Sequence, residues 1–358
     1  MTKFRRWSTK KAHLWYSSQP WLFGSNYTPA TAVNQLEMWQ AETFDLARID
    51  QELAWARGLG MNTMRVFLHD LLWIQDASGF TKRVDEFLRV ASSHGIRPML
   101  VLFDSCWHPE PKLGPQPGPL PGIHNSGWVQ GPGRSVLEDP APHMERLEAY
   151  VTGIVAAFGQ DKRVLAWDIW NEPCNANVAS YATSELVGKT RFVAPLLIKA
   201  FEWARNARPS QPLTSGLWVG DWSSRASMNP IHRIQAAQSD VISFHNYGDA
   251  KDFEKRAGQL QRYGRPLLCT EFMARSEGNT FEVILPFVKA NKIAAFNWGF
   301  VQGRTQTHLP WDSWQTPYVE GDAPLWFHVI LYPDGRPYSE QEAAFIKQIS
   351  SSLDSLHP

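Results

Sequence analysis

Cysteine is scarce: Cys106, Cys174 and Cys269 are the three in a chain of 358 residues. Three thiols make no disulfide framework, and no CxxC pair suggests zinc. Free thiols in a reducing compartment are the plain interpretation. An excess of either charge is also missing, with 35 basic residues against 35 acidic ones. Nucleic acids and anionic membranes select concentrated basic surfaces, so neither is expected as the main partner. No run is long and apolar enough to span a bilayer. The N-terminal MTKFRRWSTKKAHLWYSSQPW is basic but lacks the apolar stretch of a secretory signal. The expectation is a cytoplasmic protein, although a secreted or periplasmic one freed of its signal would read the same way. Linkers, internal repeats and low-complexity tracts are absent too, so residues 1–358 read as a single domain.

What is present is aromatic and shaped. Hydrophobic residues make up 43%, enough for a sizeable core, and there are 17 Trp, 25 Pro and 24 Gly. Most of the Trp are expected to be core residues, and the remainder offer flat platforms for the apolar faces of sugar rings.

Short apolar runs alternate with longer amphipathic ones, the pattern of βα units and a parallel sheet. Strands are predicted at 21–27, 62–68, 96–103, 164–172, 212–218, 241–247, 265–271 and 293–300. Helices are predicted at 44–60, 84–95, 143–159, 185–206 and 339–353, and the helical pattern is weakest between the fifth and sixth strands. Eight such units close into an α/β fold, the (β/α)8 or TIM barrel. Two connections are too long for simple turns: residues 104–142 after strand three and 301–325 after strand eight. Both leave the C-terminal ends of strands, where barrel enzymes carry their chemistry.

Two strand ends supply that chemistry. WDIWNEP (167–173) ends a strand in Asn171 and Glu172, and Pro173, without an N–H, stops further pairing. LLCTEF (267–272) ends another in Glu271. Strands four and seven lie across an eight-stranded barrel from each other, so two carboxyls face one another over its mouth. A lone Glu at a strand end is ordinarily a surface or capping group; a facing pair is what glycoside hydrolysis needs. One carboxyl must be neutral to protonate the leaving oxygen and the other ionised to attack the anomeric carbon. Arg65 and Asn171 can supply donors, and a Glu held by Arg stays ionised.

NEP on strand four with TEF on strand seven resembles clan A of the glycoside hydrolases, most closely family 5. The resemblance runs from NYTP (26–29) to FNWGF (296–300). It implies Glu172 as acid/base and Glu271 as nucleophile of a retaining enzyme. It further implies that Asn171 contacts the sugar, Arg65 orients the nucleophile, His245 and Tyr247 form the strand-six pair, and Trp298 floors the subsite. One departure stands out. Where the family carries a His after strand three, this chain reads FDSCWH (103–108), with Cys106 in that place. Asp104, Trp107 or His108 is then a candidate substitute, and substrates cannot be carried over from family cellulases.

Other candidates have plainer readings beside the functional ones. Trp218 and Trp222 either stack a leaving-group sugar or pack the loop after strand five, and Trp311 and Trp314 are placed to lid the site. Asp168, pointing into the barrel, is expected in a polar network below the site, and Cys269 as a small filler. No HExxH or other metal-ligand spacing surrounds His245, so hydrogen bonding to sugar is expected of it. No cofactor or metal is implied. The partner is a carbohydrate: a short β-linked oligosaccharide cleaved from one end, or a glucan, xylan or mannan cleaved internally. A transglycosylase would share every catalytic residue. A non-catalytic glycan-binding barrel would keep the aromatics and lose a carboxylate.

Overall fold

The structure is a computed structural model and describes residues 5–321 and 323–351. Its strands are β1 (Phe23–Tyr27), β2 (Thr63–Phe67), β3 (Met99–Asp104), β4 (Ala166–Asn171), β5 (Leu213–Thr214), β6 (Ile242–His245), β7 (Leu267–Phe272) and β8 (Ala294–Asn297). All are parallel to their neighbours, in the order β5-β4-β3-β2-β1-β8-β7-β6. The remaining seam is closed by Leu217, whose N–H donates to the Ser243 carbonyl (3.0 Å) and whose carbonyl accepts from the His245 N–H (2.7 Å). The result is a (β/α)8 barrel.

Every strand is buried along its whole length. That follows from near-continuous apolar runs covered outside by helices and filled inside by side chains. Those helices are Leu46–Gly58, Asp70–Ser93, Met144–Phe158, Lys189–Asn206, Pro230–Gln238, Ala250–Gln261, Phe281–Ala290 and Glu340–Ser351. The helix between β5 and β6, weak in periodicity, is set by its start: the Asn229 side chain accepts from the His232 N–H and Pro230 occupies the first turn.

Two differences from the sequence reading are instructive. The fifth strand was expected over 212–218, but its ladder covers only Leu213–Thr214. Beyond it Ser215 turns its hydroxyl to the Trp170 carbonyl (2.7 Å), and Gly216 passes so close to His245 that a Cβ there would lie 3.0 Å from the ring Nε2. The second is a helix at Thr9–Ser17, not anticipated from its basic sequence. Its Ala12 packs with Leu22, Met99, Leu165, Val241, Leu268 and Phe296, plugging the end of the barrel opposite the strand C-termini. Among the described residues, no helix is long and apolar enough to cross a membrane.

The two long loops are joined to each other. The Gln306 amide donates to the Leu120 and Ile123 carbonyls (2.7 and 2.8 Å) and the Tyr318 N–H to the Gly122 carbonyl (2.9 Å). The His124 N–H donates to Ser313 Oγ (2.9 Å), and Trp107 stacks on Trp314 with ring centroids 5.7 Å apart. Proline-rich and hydrogen-bonded across, this pair forms a fixed wall over one side of the barrel mouth.

Candidate active site

Glu172 and Glu271 meet at the barrel mouth as their strands require. One oxygen of each carboxyl and one ring nitrogen of His245 all lie within 4.8 Å of one another. Glu172 directly follows β4, in left-handed backbone (φ 44°) that a non-glycine residue adopts only when its surroundings hold it there. Irregular register at the ends of β6 and β7 aligns His245 with Glu271.

The two carboxyls have different partners. Glu271 Oε1 accepts from Arg65 (2.8 Å) and Oε2 from the Tyr247 hydroxyl (2.8 Å). Glu172 Oε2 accepts from the Asn175 amide (2.7 Å) and the Cys106 thiol (3.3 Å), while Oε1 faces His245 Nδ1 (2.8 Å). Burial raises both carboxyl pKa values. The Arg65 charge and the Tyr247 hydroxyl pull the Glu271 value back down, and proximity to Glu172 pushes it up. Two buried carboxyls this close do not both ionise, and the one held by Arg65 and Tyr247 is the better placed to carry the charge. Burial also lowers His245 to about 4, so its ring is neutral at ordinary pH.

Arg65 is the hub below them. Its guanidinium reaches Asp168 through Nε and Nη2 (3.0 and 2.8 Å), Asn171 Oδ1 (2.7 Å), Asn26 Oδ1 (2.8 Å) and Glu271. The arginine is fully buried, and its planar fork is compensated on every side. Asp168 sits in a polar network, as its inward direction implies. Asn171 passes the chain on, donating to Asp104 Oδ1 (2.9 Å), whose Oδ2 accepts from Trp128 Nε1 (2.6 Å). Burial pushes the Asp104 carboxyl up to about 6.

The remaining candidates separate into those near the carboxyls and those elsewhere. Tyr247 packs edge-on against Trp311 (5.1 Å between centroids), so the strand-eight loop stands beside Glu271. Trp298 packs edge-on against Phe67 and Trp128 (5.9 and 6.3 Å). Trp107 is partly exposed beside Cys106, and Trp218 is partly exposed with its Nε1 on Cys174 Sγ (3.1 Å). His108 packs on Tyr181 (5.0 Å) and its Nδ1 accepts from the Glu110 N–H (3.1 Å). Trp222 is buried against Phe244 and His232, which leaves it no face for a sugar.

Several groups escaped the sequence reading. Cys106, by sequence only a replacement for a His, is the residue of that segment whose side chain bonds Glu172. Asn175 and Trp128 carry no motif of their own, and Asn26 opens the NYTP run without a role attached to it. A buried ion pair of Lys189 and Glu185 (2.9 Å) clamps the segment that presents Cys106. Lys189 Nζ donates to the Ser105 carbonyl (2.9 Å), and Gln130 bridges Glu185 (2.8 Å) and the Trp107 carbonyl (2.9 Å). The signal that was available, a Glu–Lys pair four residues apart, is shared by countless exposed helices. Linear spacing around His245 suggested no metal ligands, but the fold gathers Glu172, His245 and Glu271 into a donor set a cation could use. Their carboxyl oxygens already accept from Arg65, Tyr247, Asn175 and Cys106.

A (β/α)8 barrel with paired Glu at the ends of β4 and β7, one of them held by Arg and Tyr, defines a glycoside hydrolase. The sequence profile described as "Cellulase (glycosyl hydrolase family 5)" matches residues 25–303, and the chain belongs to that family. No curated protein sequence matches the chain. Among solved structures, it resembles a GH5_18 protein from Streptomyces cattleya bound to Manβ1-4GlcNAc (TM-score 0.62, 14% identity, 94% of this chain and 83% of that one). It also resembles the exo-β-1,4-mannosidase from Opitutaceae bacterium strain TAV5 (TM-score 0.59, 18% identity, 92% of this chain but 59% of that one). A third is the β-1,4-mannanase of the sea hare Aplysia kurodai (TM-score 0.53, 15% identity, 78% and 88% covered). At these identities the likeness establishes the barrel and leaves the substrate open.

Proposed function

We propose that the protein is a retaining, exo-acting β-glycosidase of short oligosaccharides, with Glu172 as acid/base and Glu271 as nucleophile. The observation that carries the reading is the asymmetric pair: carboxyl oxygens within 4.8 Å, one set held by Arg65 and Tyr247 and the other by Asn175 and Cys106. A separation of roughly 5 Å suits direct attack on the anomeric carbon, whereas inverting enzymes leave about 6.5–9.5 Å for a water.

In the first step Glu172 protonates the glycosidic oxygen and Glu271 attacks C1. The C1–O bond breaks, the alcohol departs, and a glycosyl ester remains on Glu271. In the second step Glu172, now ionised, takes a proton from water, the water oxygen attacks C1, and the ester bond breaks. Asn171, His245 and Tyr247 bind the sugar at the reacting centre and Trp298 floors it. Trp107, Trp218 and Trp311 offer aromatic faces around the rim, and Asp104 acts through Asn171. His108 has no part.

The joined loops after β3 and β8 support action at a chain end, because a wall on one side of the mouth leaves no passage for a continuing polymer. β-1,4-Mannosides head the candidate substrates, following the named activities of the structural neighbours. The test is a panel of nitrophenyl β-glycosides and reducing-end-labelled β-1,4-oligosaccharides, alongside viscometry of soluble mannan. Release of a monosaccharide with little loss of viscosity is expected, and its first-formed anomer is β. A rapid fall in viscosity overturns exo action; cleavage of no β-glycoside overturns the assignment of the site. Adding an acceptor sugar separates hydrolysis from transglycosylation.

The partners of Glu172 give a pH prediction. The Cys106 thiol donates to the carboxylate form and so lowers the Glu172 pKa. Cys106→Ala removes that donor, Glu172 keeps its proton to higher pH, and the basic limb of kcat/KM moves upward. The acid limb, set by Glu271, stays in place. A basic limb that does not move, or moves down, refutes this role for the thiol.

A further inference from the structure

Lysine is rarely buried, yet Lys189 is only 3% exposed and every proton of its ammonium is spent. Its Nζ donates to the Ser105 carbonyl (2.9 Å), Gln130 Oε1 (2.7 Å) and Glu185 Oε2 (2.9 Å). Glu185 is satisfied in turn. Its Oε2 also accepts from the Asn177 and Gln130 amides (2.6 and 2.8 Å), and its Oε1 from the Leu186 N–H (2.7 Å). A buried ion pair recovers little more than its own desolvation cost, and replacing one by apolar residues is often neutral for stability. What this pair supplies is direction: its bonds go to the two segments that follow β3 and β4.

The two segments meet at one oxygen. Along the first, Lys189 and the Asn177 amide (2.9 Å) both hold the Ser105 carbonyl, next to Cys106, whose thiol donates to Glu172 Oε2 (3.3 Å). Along the second, Glu185 holds the Asn177 side chain, and the Asn177 N–H donates to Asn175 Oδ1 (2.8 Å). That bond fixes which end of the Asn175 amide faces the carboxyl. Its Nδ2 donates to Glu172 Oε2 (2.7 Å) and to Cys106 Sγ (3.3 Å). With two donors on Oε2, a proton on Glu172 belongs on Oε1. Oε1 faces His245 Nδ1 (2.8 Å), the ring nitrogen that stands 3.5 Å from Glu271 Oε2, so it is the oxygen turned towards the reacting centre.

We infer that Lys189 is a positioning residue for the acid/base, an inference that rests on the glycosidase reading above. Through Ser105 and Glu185 it holds Cys106 and Asn175 on Oε2, which keeps the acidic proton on Oε1, where a glycosidic oxygen can take it. The same donors stabilise the carboxylate that remains once the proton has gone. Burial raises the Glu172 pKa, and Asn175, Cys106, Arg65 and Lys189 pull it down. Of the groups facing Glu172, Arg65 and Lys189 are the cations, and Asp104 and Glu271 are acidic. Cys106, Cys174 and Tyr247 are held neutral by raised pKa values and His245 by a lowered one. Loss of the clamp removes one cation and loosens two donors, so the Glu172 pKa rises.

Lys189→Met alone would leave Glu185 an unpaired buried charge, so the test combines it with Glu185→Gln, which removes both charges at similar volume. Asn177→Gly is the second variant. It suits the left-handed backbone there (φ 47°), removes the amide that Glu185 holds, and leaves the ion pair whole. The readouts are the pH profile of kcat/KM and the NMR titration of the Glu172 carboxyl carbon without substrate, assigned with Glu172→Gln. Both the titration and the basic limb are expected to move upward in the paired variant and, less far, in Asn177→Gly. In the paired variant kcat on oligosaccharides falls about tenfold to a hundredfold with KM nearly unchanged. Dinitrophenyl glycosides, which need no proton, form the glycosyl-enzyme at a near-parental rate. Equal slowing of both substrates, or a titration that stays in place or moves down, overturns the role of Lys189. Should the paired variant not fold, Asn177→Gly decides by the same readouts. A parent that cleaves no β-glycoside, while the Glu172 titration still moves in the variants, sinks the hydrolase reading and leaves the clamp standing.

Discussion

Glu271→Ala is expected to abolish turnover, with kcat falling on the order of a millionfold, the scale on which hydrolases lose activity when a covalent nucleophile is deleted. The loss is chemical and not structural. Arg65 keeps its bonds to Asp168, Asn171 and Asn26 when Glu271 is gone, so the network under the site remains paired. Removing one of two crowded buried carboxyls also relieves their repulsion. A thermal midpoint close to the parent's should therefore accompany the dead enzyme. Added azide should restore part of the rate by entering the vacated space and attacking C1 from the same side, leaving an α-glycosyl azide. Activity within tenfold of the parent, or rescue giving the β-azide, would assign the nucleophile elsewhere.

Glu172→Ala produces a loss that depends on the leaving group. Natural alcohols depart poorly without a proton, so oligosaccharide hydrolysis should slow by about 10²–10⁴-fold, the usual worth of a positioned acid. Dinitrophenyl glycosides, whose phenolate leaves unaided, should form the glycosyl-enzyme at a near-parental rate and then accumulate it, because no base remains to activate water. A pre-steady-state burst of dinitrophenol is the measurement. The basic limb of the pH profile, which reports Glu172 losing its proton, should vanish with it. Equal slowing of activated and natural substrates would reverse the assignment of the two carboxyls. The neutral His245, at about 4, adds no limb of its own above that pH.

The strand-borne part of this site was legible one residue at a time, and the loop-borne part was not. A residue on a strand points into the barrel or out of it by strict alternation, and the closed ring of eight sets which strand ends face each other. Asn171, Glu172, His245 and Glu271 lie at or next to strand ends and Arg65 within β2; the apolar runs placed the two Glu, and the family resemblance gave His245 its place beside them. His108 and Cys106 lie two residues apart in one loop, where no such alternation applies. The fold directs the thiol to Glu172 and the imidazole to Tyr181. The joined loops illustrate the same limit: Gln306, which donates to the Ile123 carbonyl, lies 183 residues further along the chain.

The amino-acid order alone therefore determined the barrel, the opposed pair of carboxyls and the arginine between them, because each follows from periodicities of a few residues and the closure of a single ring. Only the folded chain decided which groups hold Glu172, that the two long loops lock together, and that a basic N-terminal helix plugs the barrel. Those features depend on contacts between segments far apart in sequence, whose relative placement is set by packing and hydrogen bonding that no local pattern encodes.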